Sequence, residues 1–234
     1  MSRVAGVDGA PGGWAVVTLA AGMPSVQRIT RLSDLLAFGV GFDLIAVDMP
    51  IGLLDAYEIG GRHCDREARR LLGKRGSSVF PAPVRAVFGS MTHEEACARS
   101  IDSSPHRKAI SRQAFGILPK IEEVDQLLQT RRELRAIVRE VHPEVSFQEL
   151  TGASLAHRKV TRAGREERKV ALATVFPWLD DILLRGRAQK LATEDVLDAC
   201  VACWSATRLL SGAGYSLPAS APTDSTGLPM AIWV

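Results

Sequence analysis

The sequence has no long hydrophobic run. No apolar stretch approaches the roughly 18 residues that a membrane-spanning helix needs. The N-terminal apolar segment stops at Asp8, before it reaches the length of a signal-peptide core. We therefore expect a cytoplasmic protein without a membrane partner.

Cysteine is scarce, with four residues in a chain of 234, which is too few for a disulfide scaffold of this size. Cys200 and Cys203 form a C-x-x-C motif inside an apolar, helix-like segment. No second pair and no histidine lies nearby in the sequence. This context favours buried reduced thiols over a zinc or redox site.

An excess of charge of one sign is also missing. Lys and Arg number 29 and Asp and Glu 26, a net charge of +3, and 46% of the residues are hydrophobic. This composition excludes disordered and fibrous chains. The weakly basic balance permits a phosphate-bearing partner but does not by itself indicate nucleic acid.

The N-terminal part of the sequence is typical of β-strands. Residues 4–7 and 14–19 flank a Gly/Pro-rich turn and predict a hairpin, and residues 25–30 predict a third strand. Residues 33–38 predict a short helix capped by Ser33. Residues 44–47 are continuously apolar, which indicates a strand covered on both faces.

The rest of the sequence is mostly helical, with Gly and Pro breaking the pattern in residues 74–85. A Thr92 capping box opens one helix, Pro143 suits the first turn of another, and Thr193 is the expected N-cap of the last. Further predicted elements are helices over residues 65–72, 121–128, 165–184 (interrupted before Pro177) and 193–210, and strands over 136–141 and 230–234. We predict a single α/β domain over residues 1–234, with a helical insertion at about residues 55–130.

Four acidic residues stand at informative positions. Asp8 and Asp48 each end a predicted strand, and Asp195 and Asp198 lie three residues apart on one face of a nearly apolar helix. Asp8 could belong to a turn, Asp48 could begin a loop, and Asp195 could complement the helix dipole. Asp198 is harder to explain structurally, because an unpaired buried carboxylate is costly. Together the four would supply oxygen ligands for two divalent cations, Mg²⁺ or Mn²⁺.

The same residues carry a resemblance to known proteins. Asp8-Gly9 after a first strand is similar to the opening of the ribonuclease H-like superfamily, and residues 195–202 resemble the D-x-x-D-A-x-x-x-A helix of RuvC-type resolvases. The whole chain resembles the domain of unknown function 429 family, which is described as a predicted ribonuclease H-like nuclease. The matching segments are residues 6–14, 47–52, 64–69, 78–83, 116–121, 140–144 and 195–199.

The resemblance implies a ribonuclease H-like mixed sheet flanked by helices and a two-metal nuclease site. Asp8 would bridge the metals, Asp48 would take the second strand position, and Asp195 and Asp198 would complete the site. Resolvases usually carry Glu where this chain has Asp48, which is one methylene shorter. Glu144 is either the extra ligand or a first-turn helix acid, and these two interpretations stay open. A structural role is favoured for the neighbouring His142.

A nuclease also needs contacts to phosphate. Residues 165–169 read R-E-E-R-K, a mixed-sign pattern that is typical of a solvated helix face. The candidate phosphate or nucleic-acid contacts are Lys74, Arg75, Arg85, Lys120, Lys159 and Arg162.

We therefore expect a metal-dependent nuclease acting on DNA or RNA. One alternative is a nucleic-acid-binding protein that keeps the fold without catalysis. Another is an actin-like phosphotransferase or ATPase, but it would need a second Gly-rich phosphate loop, for which 234 residues leave little room. The oligomeric state stays open, a homodimer included.

Overall fold

The computed structural model describes residues 2–36 and 41–234. The chain forms two compact units. The first comprises Met1–Met49, Ala136–Tyr215 and Trp233–Val234, and the second comprises Pro50–Arg135 and Ser216–Ile232.

The first unit is built on a mixed five-stranded sheet. Its strands are β1 (Arg3–Ala10), β2 (Gly13–Ala20), β3 (Met23–Ile29), β4 (Leu44–Val47) and β5 (Val138–Glu140). The order is β3-β2-β1-β4-β5, with β1, β2 and β3 antiparallel and β1, β4 and β5 parallel. This confirms the predicted α/β class and is compatible with a ribonuclease H-like fold.

The strands follow the sequence pattern closely. β1 and β2 are joined by Pro11 and Gly12, and Gly12 has a φ of 70°, a conformation that glycine adopts without strain. All four residues of β4 are buried, as its continuous apolar sequence predicts. β5 is shorter than predicted, because Arg132–Ala136 forms a 3₁₀ turn before it.

Seven α-helices lie within the described residues, three in the second unit and four in the first. They are α1 (His63–Leu72), α2 (His93–Asp102), α3 (Arg112–Thr130), α4 (Pro143–Thr151), α5 (Arg162–Ala173), α6 (Leu179–Ala188) and α7 (Thr193–Leu210). Short 3₁₀ turns cover Leu32–Leu36, Gly73–Ser78 and Arg85–Val87, and two short strands, β6 (Ser216–Leu217) and β7 (Ile232–Trp233), come last. Within the described ranges, no helix has both the length and the apolar character required to span a membrane.

Several boundaries differ from the sequence predictions. Thr193 is the first residue of α7 and not its N-cap, which is Ala192 and makes no side-chain capping bond. α3 starts nine residues before the predicted position 121, at Arg112, and contains Pro119. The Ser111 hydroxyl caps α3 by accepting a bond from the Ala114 amide. The helix predicted for residues 33–38 is a 3₁₀ turn over Leu32–Leu36, so Ser33 lies inside it and is not its cap, and the part beyond residue 36 lies outside the described residues.

Two other predictions about helices are confirmed. α5 ends at Ala173 and α6 begins at Leu179, so the helical stretch breaks around Pro177 as predicted. Thr92 caps α2 and accepts a bond from the Glu95 amide, although the Glu95 carboxylate of the predicted capping box accepts from the Met91 amide instead.

The second unit is held at the start of α1 by a buried ion pair. Arg62 Nη2 lies 2.7 Å from Asp65 Oδ1, and both side chains are almost fully buried. The same guanidinium donates to the carbonyl oxygen of Ile51 at 2.9 Å, while Asp65 Oδ2 accepts from the Ala82 amide at 3.2 Å. One charge pair therefore ties the start of α1 to two separate loops of this unit.

The core of the first unit depends on how closely α7 approaches β1. A Cβ atom placed on Gly6 would lie 2.1 Å from both the Ala199 carbonyl oxygen and the Cys203 amide nitrogen. The middle of α7 is buried on all sides, including Cys200 and Cys203, whose pKa values are raised by burial. The thiols therefore pack as apolar groups, and the backbones of helix and strand are in direct contact.

Gly6→Ala should destabilise the protein by about 3 kcal/mol or more, because the added methyl group forces the α7 backbone away from β1. Urea denaturation monitored by circular dichroism measures the change in the free energy of unfolding. Gly41→Ala is the control, since no atom lies within 4 Å of the added Cβ. Equal stability of the two variants would contradict the close contact.

Candidate active site

Asp8 and Asp48 lie side by side on neighbouring parallel strands, with Asp48 directly after β4 and Asp8 inside β1, which continues to Ala10 and does not end at Asp8 as the sequence predicted. Val7 pairs with Val47, and the Asp48 amide donates to the Val7 carbonyl oxygen at 2.8 Å. Neighbouring strands are about 4.8 Å apart, and residues in register point to the same face of a sheet. The two carboxyl groups therefore leave the same face.

α7 covers this face and brings in Asp198. Gly6 precedes Asp8 by two residues, so both point toward the same side of the sheet, and Gly6 contacts α7 at Ala199. The Asp198 side chain is only 1% exposed. Asp195 lies one turn earlier on α7 and is half-buried. The structure thus brings together the four acidic residues that the sequence singled out.

Burial and the charges of neighbouring carboxylates raise the pKa values of Asp8 and Asp198. The pKa of Asp8 is raised well above its ordinary value of 3.8 by burial first, and then by the charges of Asp48 and Asp198. The pKa of Asp198 is also raised by its burial, although the nearby Lys159 opposes the shift. Carboxylates in such a cluster are stabilised in their charged form by any cation that binds near them.

The positive charge inside the cluster belongs to Lys159. Its Nζ lies 2.5 Å from Asp198 Oδ2. Burial alone would lower the pKa of Lys159, but the charges of Asp198, Asp8 and Asp48 raise it above 10.5. The sequence predicted a phosphate contact at this position, and the structure places the ammonium group on a carboxylate.

The turn that carries Lys159 is held by its backbone. The Glu167 carboxylate accepts bonds from the Ala156 and His157 amides at 2.7 and 2.9 Å. The Thr161 amide donates to the Arg158 carbonyl oxygen at 3.0 Å, which closes the turn. None of these bonds uses the Lys159 side chain, which remains 44% exposed.

Glu144 pairs with a buried arginine. It lies in the first turn of α4 behind Pro143, as one of the two interpretations expected, and accepts a bond from Arg168 Nη2. Arg168 is fully buried, although the sequence pattern predicted a solvated helix face. The signal for its burial is its spacing from the buried residues of α5, Gly164, Ala171 and Leu172, which share one side of the helix.

His142 occupies the N-cap position of α4 without capping it through its side chain. Its Nδ1 atom is buried and has no hydrogen-bond partner in the described part of the chain.

The remaining basic candidates occupy varied environments. In the second unit, Arg85 Nη2 lies 2.8 Å from Asp125 and 2.5 Å from Asp224, so its charge is already paired. Lys74 in the same unit is exposed, while Arg75 and Lys120 are half-buried. Arg162 is exposed at the start of α5, in the first unit with the acidic cluster.

The carboxylates suit a hard divalent cation in chemical kind, because Mg²⁺ and Mn²⁺ prefer oxygen ligands. Asp198 Oδ1 is buried and has no hydrogen-bond partner in residues 2–36 and 41–234. Within those residues, however, no group of three or more His, Cys, Asp and Glu side chains is arranged so that it could hold a metal ion. The carboxylates are suitable ligands for such a metal in chemical type. The second carboxylate oxygen of Asp198, Oδ2, is in contact with Lys159.

The family model described as "Protein of unknown function (DUF429)" matches residues 6–223. The chain belongs to the DUF429 family. The match spans all four acidic residues of the cluster, as well as Lys159 and Arg168 of this DUF429 protein. No curated protein and no solved structure matches the chain.

Asp8→Asn should stabilise this DUF429 protein at neutral pH in metal-free buffer, by about 1 kcal/mol or more, or about 2–4 °C in melting temperature. Because folding raises the pKa of Asp8, the folded state binds this proton more tightly than the unfolded chain. The stabilising contribution of the proton is complete below the unfolded pKa of about 4 and is lost as the pH rises through the folded pKa.

Thermal melts between about pH 4 and pH 8 test this, with the exposed Asp180→Asn as the control. Wild type and Asp180→Asn should lose stability together as the pH rises, and Asp8→Asn should lose less. Parallel curves for all three would contradict the raised pKa.

Arg168→Met should destabilise the protein by about 3–5 kcal/mol, because it removes the buried guanidinium that pairs with the Glu144 carboxylate. The double variant Arg168→Met/Glu144→Leu should recover part of that loss, since the buried carboxylate is removed together with the guanidinium. Urea denaturation gives both values. A double variant less stable than Arg168→Met would show that Glu144 has another stabilising partner.

Proposed function

We propose that this protein is a metal-dependent nuclease of the cytoplasm that hydrolyses phosphodiester bonds in nucleic acid. The observation that carries the proposal is the convergence of Asp8, Asp48 and Asp198 where α7 covers the parallel strands β1 and β4, with Asp195 one helical turn away. Burial makes this cluster costly for the fold. Acidic groups with strongly perturbed pKa values are found most often at functional sites, where the chemistry requires them despite their cost in stability.

Asp8, Asp48, Asp195 and Asp198 would hold Mg²⁺ or Mn²⁺. Bound divalent ions supply activation of water and stabilisation of the leaving oxygen in phosphodiester cleavage. The chain's own part is to fix these acids on a strand pair and a buried helix, which keeps their geometry rigid.

Substrate binding also needs positive charge near the acids. Arg162 is exposed and lies three residues after Lys159, the residue that reaches Asp198. We assign Arg162 to a contact with phosphate, whose negative charge the acidic cluster would otherwise repel.

The ion pair between Lys159 and Asp198 favours a second candidate. A lysine that stays in the acidic cluster would act as a permanent counter-ion, and the protein would then bind nucleic acid without cleaving it. A cleavage assay that includes binding measurements separates the two functions.

The test compares wild type with Asp8→Asn and Asp198→Asn on branched, single-stranded and hybrid nucleic acids in Mg²⁺ or Mn²⁺. Each variant should lose cleavage by about a hundredfold or more, because each removes a proposed metal ligand. Gel electrophoresis of the products measures the rate. Because Asp8→Asn is expected to be more stable than wild type, its loss of activity would not reflect unfolding.

Glu194→Gln is the matched control, since Glu194 lies in the first turn of α7 beside Asp195. It should cleave like wild type. Full activity in both aspartate variants would refute this site. Binding without cleavage by the wild type would favour the non-catalytic candidate.

A further inference from the structure

Lys159 reaches the acidic cluster from the surface. Its side chain is 44% exposed, whereas the Asp198 side chain that it contacts is 1% exposed. The ion pair therefore joins a buried partner on a helix to a partner that is partly exposed to solvent.

One ammonium group serves several carboxylates. Lys159 contacts Asp198 directly and interacts electrostatically with Asp8 and Asp48. In the described part of the chain, neither Asp8 nor Asp48 forms an ion pair of its own. Lys159 is therefore a cation that contacts one carboxylate of the cluster and acts on the other two through its charge.

We propose that Lys159 is an internal counter-ion that a divalent cation has to displace in order to bind. This inference rests on the metal site of the proposed function. The ammonium group occupies Asp198 Oδ2 at 2.5 Å, and two cations at one carboxylate oxygen repel each other strongly in a poorly solvated place.

The structure indicates which partner moves. Asp198 lies in the buried middle of α7, whose backbone is pressed against β1 at Gly6. The Lys159 turn is held by backbone bonds to Glu167 and Arg158, so its flexible side chain can turn toward solvent while the turn stays intact. Metal entry therefore exchanges one cation for another without refolding.

The test is calorimetric titration of Mn²⁺ into the full chain without nucleic acid, at one fixed ionic strength. Lys159→Met should bind Mn²⁺ at least tenfold more tightly than wild type, because the competing charge is gone. Lys159→Arg retains a positive charge and should stay within about threefold of the wild-type affinity.

Arg158→Met is the matched control. It removes one positive charge from the adjacent position, but Arg158 is exposed and forms no ion pair in the described ranges. It should change the Mn²⁺ affinity less than twofold, since solvent and salt screen an exposed charge. If Arg158→Met tightened binding as much as Lys159→Met, general charge would explain the effect and the proposal would be wrong.

The remaining outcomes separate this inference from the proposed function. Equal, measurable binding by wild type and Lys159→Met would overturn the role of Lys159 and leave the metal site standing. Absence of binding in every variant would overturn both.

Thermal melts give an independent readout, in which Lys159→Met should melt below wild type without Mn²⁺ and its melting temperature should rise more when Mn²⁺ is added. Lys159→Gln repeats both measurements if the methionine variant does not fold.

Discussion

Repulsion among buried carboxylates is the interaction on which the proposed chemistry of this protein depends. Asp8, Asp48 and Asp198 share one corner of the first unit, and the charges of Asp48 and Asp198 raise the pKa of Asp8 beyond the effect of its burial. A fold that keeps such a group must compensate it with positive charge. In this structure Lys159 supplies that charge directly to Asp198.

A second charge pair lies beside the first and has a different character. Arg168 is fully buried and pairs with Glu144, and its charge also lowers the pKa of Asp198 against the larger effect of burial. Lys159, in contrast, is half open to solvent. The buried pair has the features of a permanent structural element, and the exposed lysine has those of an exchangeable one.

The sequence predicted the strands and the acidic cluster well because both depend on local patterns. The apolar runs around Asp8 and Asp48 specify strands, and parallel pairing then places the two acids next to each other. Asp198 was identifiable as an acid within a run of apolar helix residues. These inferences needed only side-chain periodicity and the fact that parallel strands end at the same edge.

The partners of the acids were not predictable in the same way. Lys159 and Asp198 are 39 residues apart, and their contact depends on a turn that the Glu167 carboxylate holds through backbone amides. Arg168 was misassigned because R-E-E-R-K has the composition of a solvated face, although its helical spacing places it on the buried side. A contact between two charged side chains that are far apart in the sequence produces no periodic pattern from which it could be predicted.

Gly6 has a consequence for how the site tolerates change elsewhere. Because no side chain separates β1 from α7 at Gly6, backbone contact fixes the closest approach between the strand that carries Asp8 and the helix that carries Asp198. Repacking of the neighbouring apolar side chains can alter the core without acting as a spacer between these two elements. Substitutions among the surrounding hydrophobic residues should therefore have little effect on the distance between these two acids.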